Sequence, residues 1–296
     1  MVEQESKGGL FLVGTPIGNL EDITYRAVKT LEEADLIACE DTRVALKLLN
    51  HLGLKKKLIS YEKFSEEEKK SYLLELVATG KKIALISDAG MPGISDPGEI
   101  LVKEAWGRGI VPVVIPGPSA FVSALVSSGL SAERFFFQGF LPKGKTKERL
   151  DILKELEEIR ATLIFYISPH ALVKDLEVIQ EVLGNRNGVL ARELTKYYEE
   201  IIRGSLKDLL QVAEARNLKG EMVLLVEGFN IKKEELPIED QYQLYLDLLE
   251  NRGYKAKEAI KEAAVRSGGS RNKLYEYILR KKEEENDPGK RNTQPS

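Results

Sequence analysis

The stretch ISDAGMPGISDPG, residues 86–98, limits what this chain can fold into more than any other. It follows an apolar run at 83–86 with the length of a buried parallel strand, and it precedes a helical pattern at 99–106. Between them lie three glycines, two prolines and two aspartates, with little bulk. Glycine lets the backbone reach positive φ and lets a ligand approach the main chain, while proline stiffens the turn. Such a loop at the carboxyl end of a central strand is where open α/β sheets hold ligands. The plainer reading, a long βα connection, is weakened because two similar loops recur.

Those loops are GTPIGN at 14–19 and PGPSA at 116–120, each after a short apolar strand, 10–13 and 111–115. If the three strands share one parallel sheet, the loops crowd one edge. None reads G-x-G-x-x-G or G-x-x-x-x-G-K-[ST], so the ligand is not expected to be held by phosphates.

The rest of the N-terminal half alternates strand and helix, which predicts a parallel, doubly wound sheet. A helix is expected after GTPIGN with Asp22 as its cap, then a strand at 36–39, a helix through Leu49, a strand at 58–60 and a charged helix at 65–79. The strand at 36–39 ends in EDTR, residues 40–43. Two carboxylates, a hydroxyl and a guanidinium there could bind substrate or handle a proton. A capped helix start, with Asp41 or Thr42 as the cap and Arg43 solvated, accounts for them somewhat more simply.

The three phenylalanines at 135–137 are expected to close the first core, giving a first domain over 1–138. A basic linker over 139–149 follows, with Lys143, Lys145, Lys147 and Arg149. That run is either a solvated connection or a phosphate contact. A second α/β domain over 150–229 is expected, with strands at 161–167, 188–196 and 221–228 and His170 as a helix cap. Arg192, Glu193 and Lys196 sit oddly in a buried strand, and charges at a strand end usually face a cleft. Residues 230–282 read as a linker and three short helices, at 238–250, 255–266 and 271–281. The last two have helix–turn–helix spacing around Ser267 to Ser270, so a nucleic-acid contact stands beside simple packing. Residues 283–296 read as a disordered tail.

Composition narrows the classes. At 296 residues with 43% hydrophobic side chains, the chain can build a real core, and a net charge of −3 argues against wholesale polycationic binding. Cys39 and two histidines cannot make a familiar metal site, so none is expected. No stretch has a signal core or membrane-spanning length, and a cytoplasmic protein with no membrane partner is expected.

In order along the chain, GTPIGNLEDITYRA (14–27), EDTR, SDAGMPGISDPG (87–98), PGPSA, GFLPKG (139–144), SPH (168–170), RELTKYYEE (192–200) and KGEMVLLVEG (219–228) resemble one group. It is the tetrapyrrole methylase superfamily, and within it the ribosomal small-subunit methyltransferase I family. The resemblance implies two α/β/α domains with a cleft between them, plus the small C-terminal helical appendage. It implies S-adenosylmethionine as cofactor and 2′-O-methylation of a cytidine ribose in the decoding region of 16S ribosomal RNA. The substrate would be that RNA or the small subunit, and the form a homodimer. Carried onto this sequence, the cofactor positions are Pro16, Asp88, Ala89, Gly90, Met91, Ser119, Ala120, Tyr166 and Leu194. Candidate catalytic residues are Asp41, Glu40, Arg43 and Glu193, with Asp41 favoured as base and Arg43 placing it or holding a phosphate. Candidate RNA contacts are Lys143, Lys145, Arg149, Arg192 and Lys196. A methylase of a tetrapyrrole, or a non-enzymatic RNA-binding protein, are the alternatives. The DAGMPG loop and the EDTR and RELTK segments favour RNA over a porphyrin-like substrate.

Overall fold

The structure is a computed structural model that describes residues 8–62, 66–144, 146–230 and 236–286. Its contacts divide the chain into two compact units, residues 1–229 and 230–296. The first unit holds two five-stranded sheets.

The first sheet begins with β1 (Gly9–Val13), a single 3-10 turn at Leu20–Asp22 and α1 (Tyr25–Glu33). There follow β2 (Leu36–Cys39), α2 (Thr42–His51), β3 (Leu58–Ser60), α3 (Glu66–Ala78) and β4 (Lys82–Ile86). It is completed by α4 (Glu99–Gly107), β5 (Val113–Ile115) and α5 (Ala120–Ser128). The strand order is β3-β2-β4-β1-β5, and every pairing is parallel. Because β5, β1 and β4 are neighbours, the three glycine-bearing loops do meet at one edge. β2 and β4 are continuous apolar runs because helices cover both faces. One face packs against α1 and α2 around Leu31, Ile37 and Leu49, the other against α3 and α4 around Leu73, Leu85 and Leu101. The cap of α1 is Thr24, whose side chain accepts from Ala27 N, so Asp22 is not the cap. Asp22 instead ends the 3-10 turn that precedes it.

The second sheet corrects three expectations. It begins with β6 (Phe135–Phe140), α6 (Thr146–Leu156), β7 (Thr162–Ile167), α7 (Leu172–Leu183) and β8 (Asn187–Arg192). β9 (Glu200–Ser205), α8 (Leu206–Ala215) and β10 (Met222–Val226) complete it, in the order β6-β7-β10-β8-β9. Only β6 and β7 are parallel, so the doubly wound pattern does not continue. The phenylalanine run opens this sheet rather than closing the first core, and Phe135 and Phe136 are 46% and 40% exposed. The strand expected to run to Lys196 stops at Arg192, and the chain returns as β9.

The basic segment is not a free linker either. Residues from Thr146 onward are helical, and Arg149 is buried, its guanidinium 2.9 Å from Asp175 and its Nε donating to Pro142 O. Removing one partner of such a buried pair typically costs about 3–5 kcal/mol, because the other charge is left alone. Arg149 is therefore a structural strut, not a surface contact for RNA. His170 is exposed in the turn before α7, and the cap position belongs to Ala171 with no side-chain bond.

The inner face of the second sheet, with Ile164, Val189, Ala191, Val223 and Leu225, packs against Ala124 and Leu125 of α5 and against Ile17. α5 thus leaves the end of the first sheet to pack on the second, and Ile17 of the loop after β1 packs there with it.

The second unit is three helices, α9 (Ile238–Glu250), α10 (Ala256–Ser267) and α11 (Arg271–Asn286). They close on Tyr245, Leu248, Ile260, Ala263, Leu274 and Ile278. α10 ends on Gly268 at φ +68°, the left-handed conformation that stops a helix cleanly. The expected tail lies, from residue 287 onward, outside the described residues.

Candidate functional site

The loops of the first sheet come together through backbone. Thr15 N donates to Gly90 O at 2.8 Å and Gly90 N to Thr15 O at 3.1 Å, tying the loop after β1 to the loop after β4. Gly90 has φ +81°, a region side chains other than glycine enter at a cost. Ser95, also in the β4 loop, takes φ +64° without being glycine, and such local strain tends to cluster at working sites.

Opposite them stand the end of β7, the turn after β8 and the entry to β10. The two sides enclose a cavity of about 510 Å³. Of the expected cofactor positions, Ala89, Gly90, Met91, Ser119, Ala120, Tyr166 and Leu194 line it. Pro16 is buried beside the lining residue Ile17, and Asp88 is exposed and outside the lining. Glu193 and Lys196 also line the cavity, whereas Glu40, Asp41, Arg43, Lys143 and Arg192 do not. The structure adds Asp96, Phe140, Ser168 and the run from Gly220 to Val223. Asp96 lies in the quoted SDPG, and 220–223 in the quoted KGEMVLLVEG. The signal for both was present, but nothing in the spacing singled out their side chains.

The carboxylates here have separated roles. Asp41 caps α2 by accepting from Arg43 N at 2.8 Å, and its carboxylate also holds the Arg43 guanidinium at 2.6 Å. The hydrogen bond from Arg43 holds Asp41 down at about 2, which makes it a poor proton acceptor. Its backbone N donates to Asp88 Oδ1 at 3.0 Å, and although Asp88 is exposed as a residue, partial desolvation of its carboxyl pushes it up against that bond. Burial also pushes Asp96 up to about 6, with Asp88 and Glu221 adding to the shift and a hydrogen bond from Ser87 opposing it. Glu40 is raised to about 7 by burial first, then by Asp96 and Asp88. At the first sheet's edge, Asp96 and Glu40 therefore change charge near neutrality, while Asp41 stays ionised.

On the second side the charges are paired, one lysine between two carboxylates. Lys196 Nζ donates to Glu193 Oε1 at 3.0 Å and Glu221 Oε2 at 3.1 Å, and Glu193 Oε1 accepts from Glu221 N at 3.0 Å. Burial alone would raise Glu193, but those bonds outweigh it and the carboxyl ends below its usual range. Burial lifts the Tyr166 hydroxyl to about 12, so it stays a neutral donor. Arg192 pairs with Glu200 at 3.6 Å across the β8–β9 hairpin. Lys143 is exposed, and Lys145 lies outside the described residues.

Asp96 makes a stability test. Between its ordinary value of 3.8 and about 6, the folded chain holds more protons than the unfolded one. Stability attributable to this group therefore falls as pH rises through that window and stays lowered above it. Asp96→Asn removes the charge without changing shape. Thermal unfolding should show the variant gaining on the parent between pH 4 and pH 7 and remaining the more stable at neutrality. A variant less stable than the parent at pH 7 would mean the carboxylate is favoured in the fold.

Comparison with known proteins gives a consistent result. The family described as Tetrapyrrole (Corrin/Porphyrin) Methylases matches residues 9–210. A protein of Halalkalibacterium halodurans named ribosomal RNA small subunit methyltransferase I is 46% identical over 280 residues, covering 92% of this chain and 95% of its own. Proteins of the same name from Thermotoga maritima and Bacillus subtilis are 45% identical over 75% of this chain and 42% identical over 91%. Those alignments cover 99% and 93% of the relatives themselves. Among solved structures, uroporphyrin-III-C-methyltransferase from Thermus thermophilus superposes with a TM-score of 0.55 at 23% identity, covering 75% of this chain and 94% of that one. A diphthine synthase does so with 0.60 at 18% identity, covering 74% and 89%. At those identities the likeness concerns the fold.

Proposed function

The chain belongs to the tetrapyrrole methylase family, and we propose that it methylates small-subunit ribosomal RNA from S-adenosylmethionine, at a cytidine ribose 2′-oxygen. The observation that carries this reading is the cavity. Loops of bare backbone from one sheet face it, a wall of side chains from the other closes it, and a carboxylate raised toward neutrality lines it. The relatives' names supply the RNA; the cytidine and the 2′-oxygen follow the family resemblance.

The residues suit this cofactor. S-adenosylmethionine has no phosphate, which agrees with loops lacking a phosphate fingerprint. α5 begins at Ser119 with no side-chain cap, leaving main-chain N–H groups for a carboxylate. Leu194 is 9% exposed at the cavity wall and offers an apolar surface to the adenosine part. When bound, the cofactor supplies a methyl group already activated by its sulfonium.

The protein then has to hold the ribose hydroxyl in line with it. Alignment of this kind is worth about 7–11 kcal/mol of a barrier. Asp96 is positioned to take the hydroxyl proton, because it lines the cavity and changes charge at about 6; such assistance contributes ~10²–10⁴-fold. Glu40, outside the cavity lining, is a second acceptor that Asp96 itself helps to raise, while Asp88 and Glu221 are the charges that raise Asp96. Glu193 keeps Lys196 in place, and Asp41 orders the start of α2. Arg43, 87% exposed at its side chain, and Lys143 are phosphate contacts outside the cavity. In the second unit, the exposed Lys255, Lys257, Lys261, Arg271 and Lys273 offer further phosphate contacts. No helix among the described residues is long and apolar enough to cross a membrane. A ribosomal substrate makes the cytoplasm the place of action.

The test is transfer of labelled methyl to unmodified small subunits, naked 16S RNA and a uroporphyrinogen in parallel. Label should enter RNA at a single alkali-resistant linkage, the mark of a 2′-O-methyl ribose. Gly90→Val, which forces a branched residue to φ +81°, should keep the fold and lose cofactor binding in calorimetry. Label in the tetrapyrrole alone would sink the reading.

A homodimer would cover the exposed apolar residues Val114 on β5, Val122 and Val126 on α5, and Phe135 and Phe136 on β6. β5 and β6 are edge strands, and exposed apolar side chains on an edge invite a partner. Val126→Lys with Phe136→Lys should turn a dimer into a monomer in sedimentation at micromolar concentration; a parent that sediments as monomer removes the proposal.

A further inference from the structure

Between β8 and β9 the chain makes a seven-residue turn, Glu193 to Glu199, that is heavily braced. Lys196 N donates to Glu193 O at 3.0 Å and Glu199 N to Lys196 O at 3.1 Å. Thr195 N donates to the Glu199 carboxylate. Thr195 Oγ1 accepts from Asn19 N at 2.9 Å, which fastens the turn to the loop after β1. Glu193 and Thr195 take φ +50° and +66°, a conformation neither favours. The bracing holds the turn rigid against the loop after β1 and fixes whatever side chains it presents outward.

What the turn displays is a pair of aromatic rings. Tyr197 is 93% exposed and Tyr198 69%, set edge to face with centroids 4.9 Å apart. They directly follow Lys196, which lines the cavity, and Leu194 of the same turn forms part of its wall. Aromatic rings of this size are normally buried, or lie at interfaces where one end stays wet.

The surroundings favour one kind of ligand. The first sheet's edge carries Glu40, Asp88 and Asp96, and Glu221 lies across from them. Such a field repels phosphates, so a nucleotide at the cavity needs a hold that does not depend on its charge. A ribose can reach into the cavity only if its nucleotide leaves the stack, and an unstacked base is commonly received on an aromatic face.

We infer that Tyr197 and Tyr198 form a stacking platform for an unstacked base of the RNA strand beside the methylated ribose. This rests on the ribosomal RNA reading above and adds to it a recognition surface. The test uses Tyr197→Ala, Tyr198→Ala and the double variant, each beside its Phe and Leu counterparts, with unmodified small subunits as substrate. Loss of one stacked base should raise KM for the subunit by about 5- to 150-fold. kcat and S-adenosylmethionine affinity should stay near the parent's. The defect should be the same at low and high salt, unlike loss of a phosphate contact. Phe should restore KM and Leu should not. Three results would overturn the platform: an unchanged KM in the double Ala variant, full rescue by Leu, or dissociation of a parental dimer, which would mean that the rings cover a second copy. If the parent itself fails to methylate ribosomal RNA, the substrate reading falls first and takes the platform with it. A parent that does so, beside an Ala variant equal to it, removes the platform alone.

Discussion

Gly14 and Gly117 meet backbone to backbone, and much of the first unit is arranged around that contact. A Cβ on Gly14 would lie 2.7 Å from the Gly117 Cα, and one on Gly117 would lie 2.8 Å from the Gly14 Cα. Neither approach is tolerable for a real side chain. Only with both positions bare can the loops after β1 and β5 lie side by side, with the β4 loop hydrogen-bonded to Thr15 on the other side. Three adjacent strands then end in one main-chain floor, and α5 leaves that floor to pack on the second sheet.

From this follows a division of labour. The first sheet contributes backbone and acid, while the second contributes apolar wall and internally paired charge. Lys196 is the hinge between the two chemistries: it pairs with both Glu193 and Glu221, and without it their carboxylates would face the cavity with no cation between them. Arg43 holds Asp41 in the same way at the first sheet, leaving Asp96 and Glu40 as the carboxylates that lose their protons only near neutrality. Separating a spent carboxylate from an available one is how neighbouring acids acquire different duties.

Much of this was legible in the residues. The glycine-rich loops named their own place in the sheet because glycine and proline constrain backbone directly, and the three C-terminal helices were visible because apolar spacing is a strong signal. Tertiary pairing was not visible. β9 has only two apolar residues among charges, as an edge strand often does, and so it left no signal of its own. Missing it hid the hairpin, and with it the antiparallel half of the second sheet. Arg149 read as surface because nothing local announces a partner 26 positions later, Asp175. At the site, most of the loop residues expected at the cavity do line it, whereas the buried carboxylate of Asp96 was not singled out. EDTR drew notice as a charged cluster, yet its Asp41 is occupied by capping and by Arg43. The burial that raises Asp96 is a property of the assembled cavity and leaves no mark in the local sequence.

The central claim is that one cofactor is gripped from both sheets at once. Hydrogen exchange on the full-length chain, with and without S-adenosylmethionine, tests it directly. Protection should rise together around 88–96 and 119–120 on one side and around 166–168, 193–196 and 220–223 on the other, with the helices from 238 onward unchanged. Protection limited to one sheet, or appearing only in the C-terminal helices, would contradict the account.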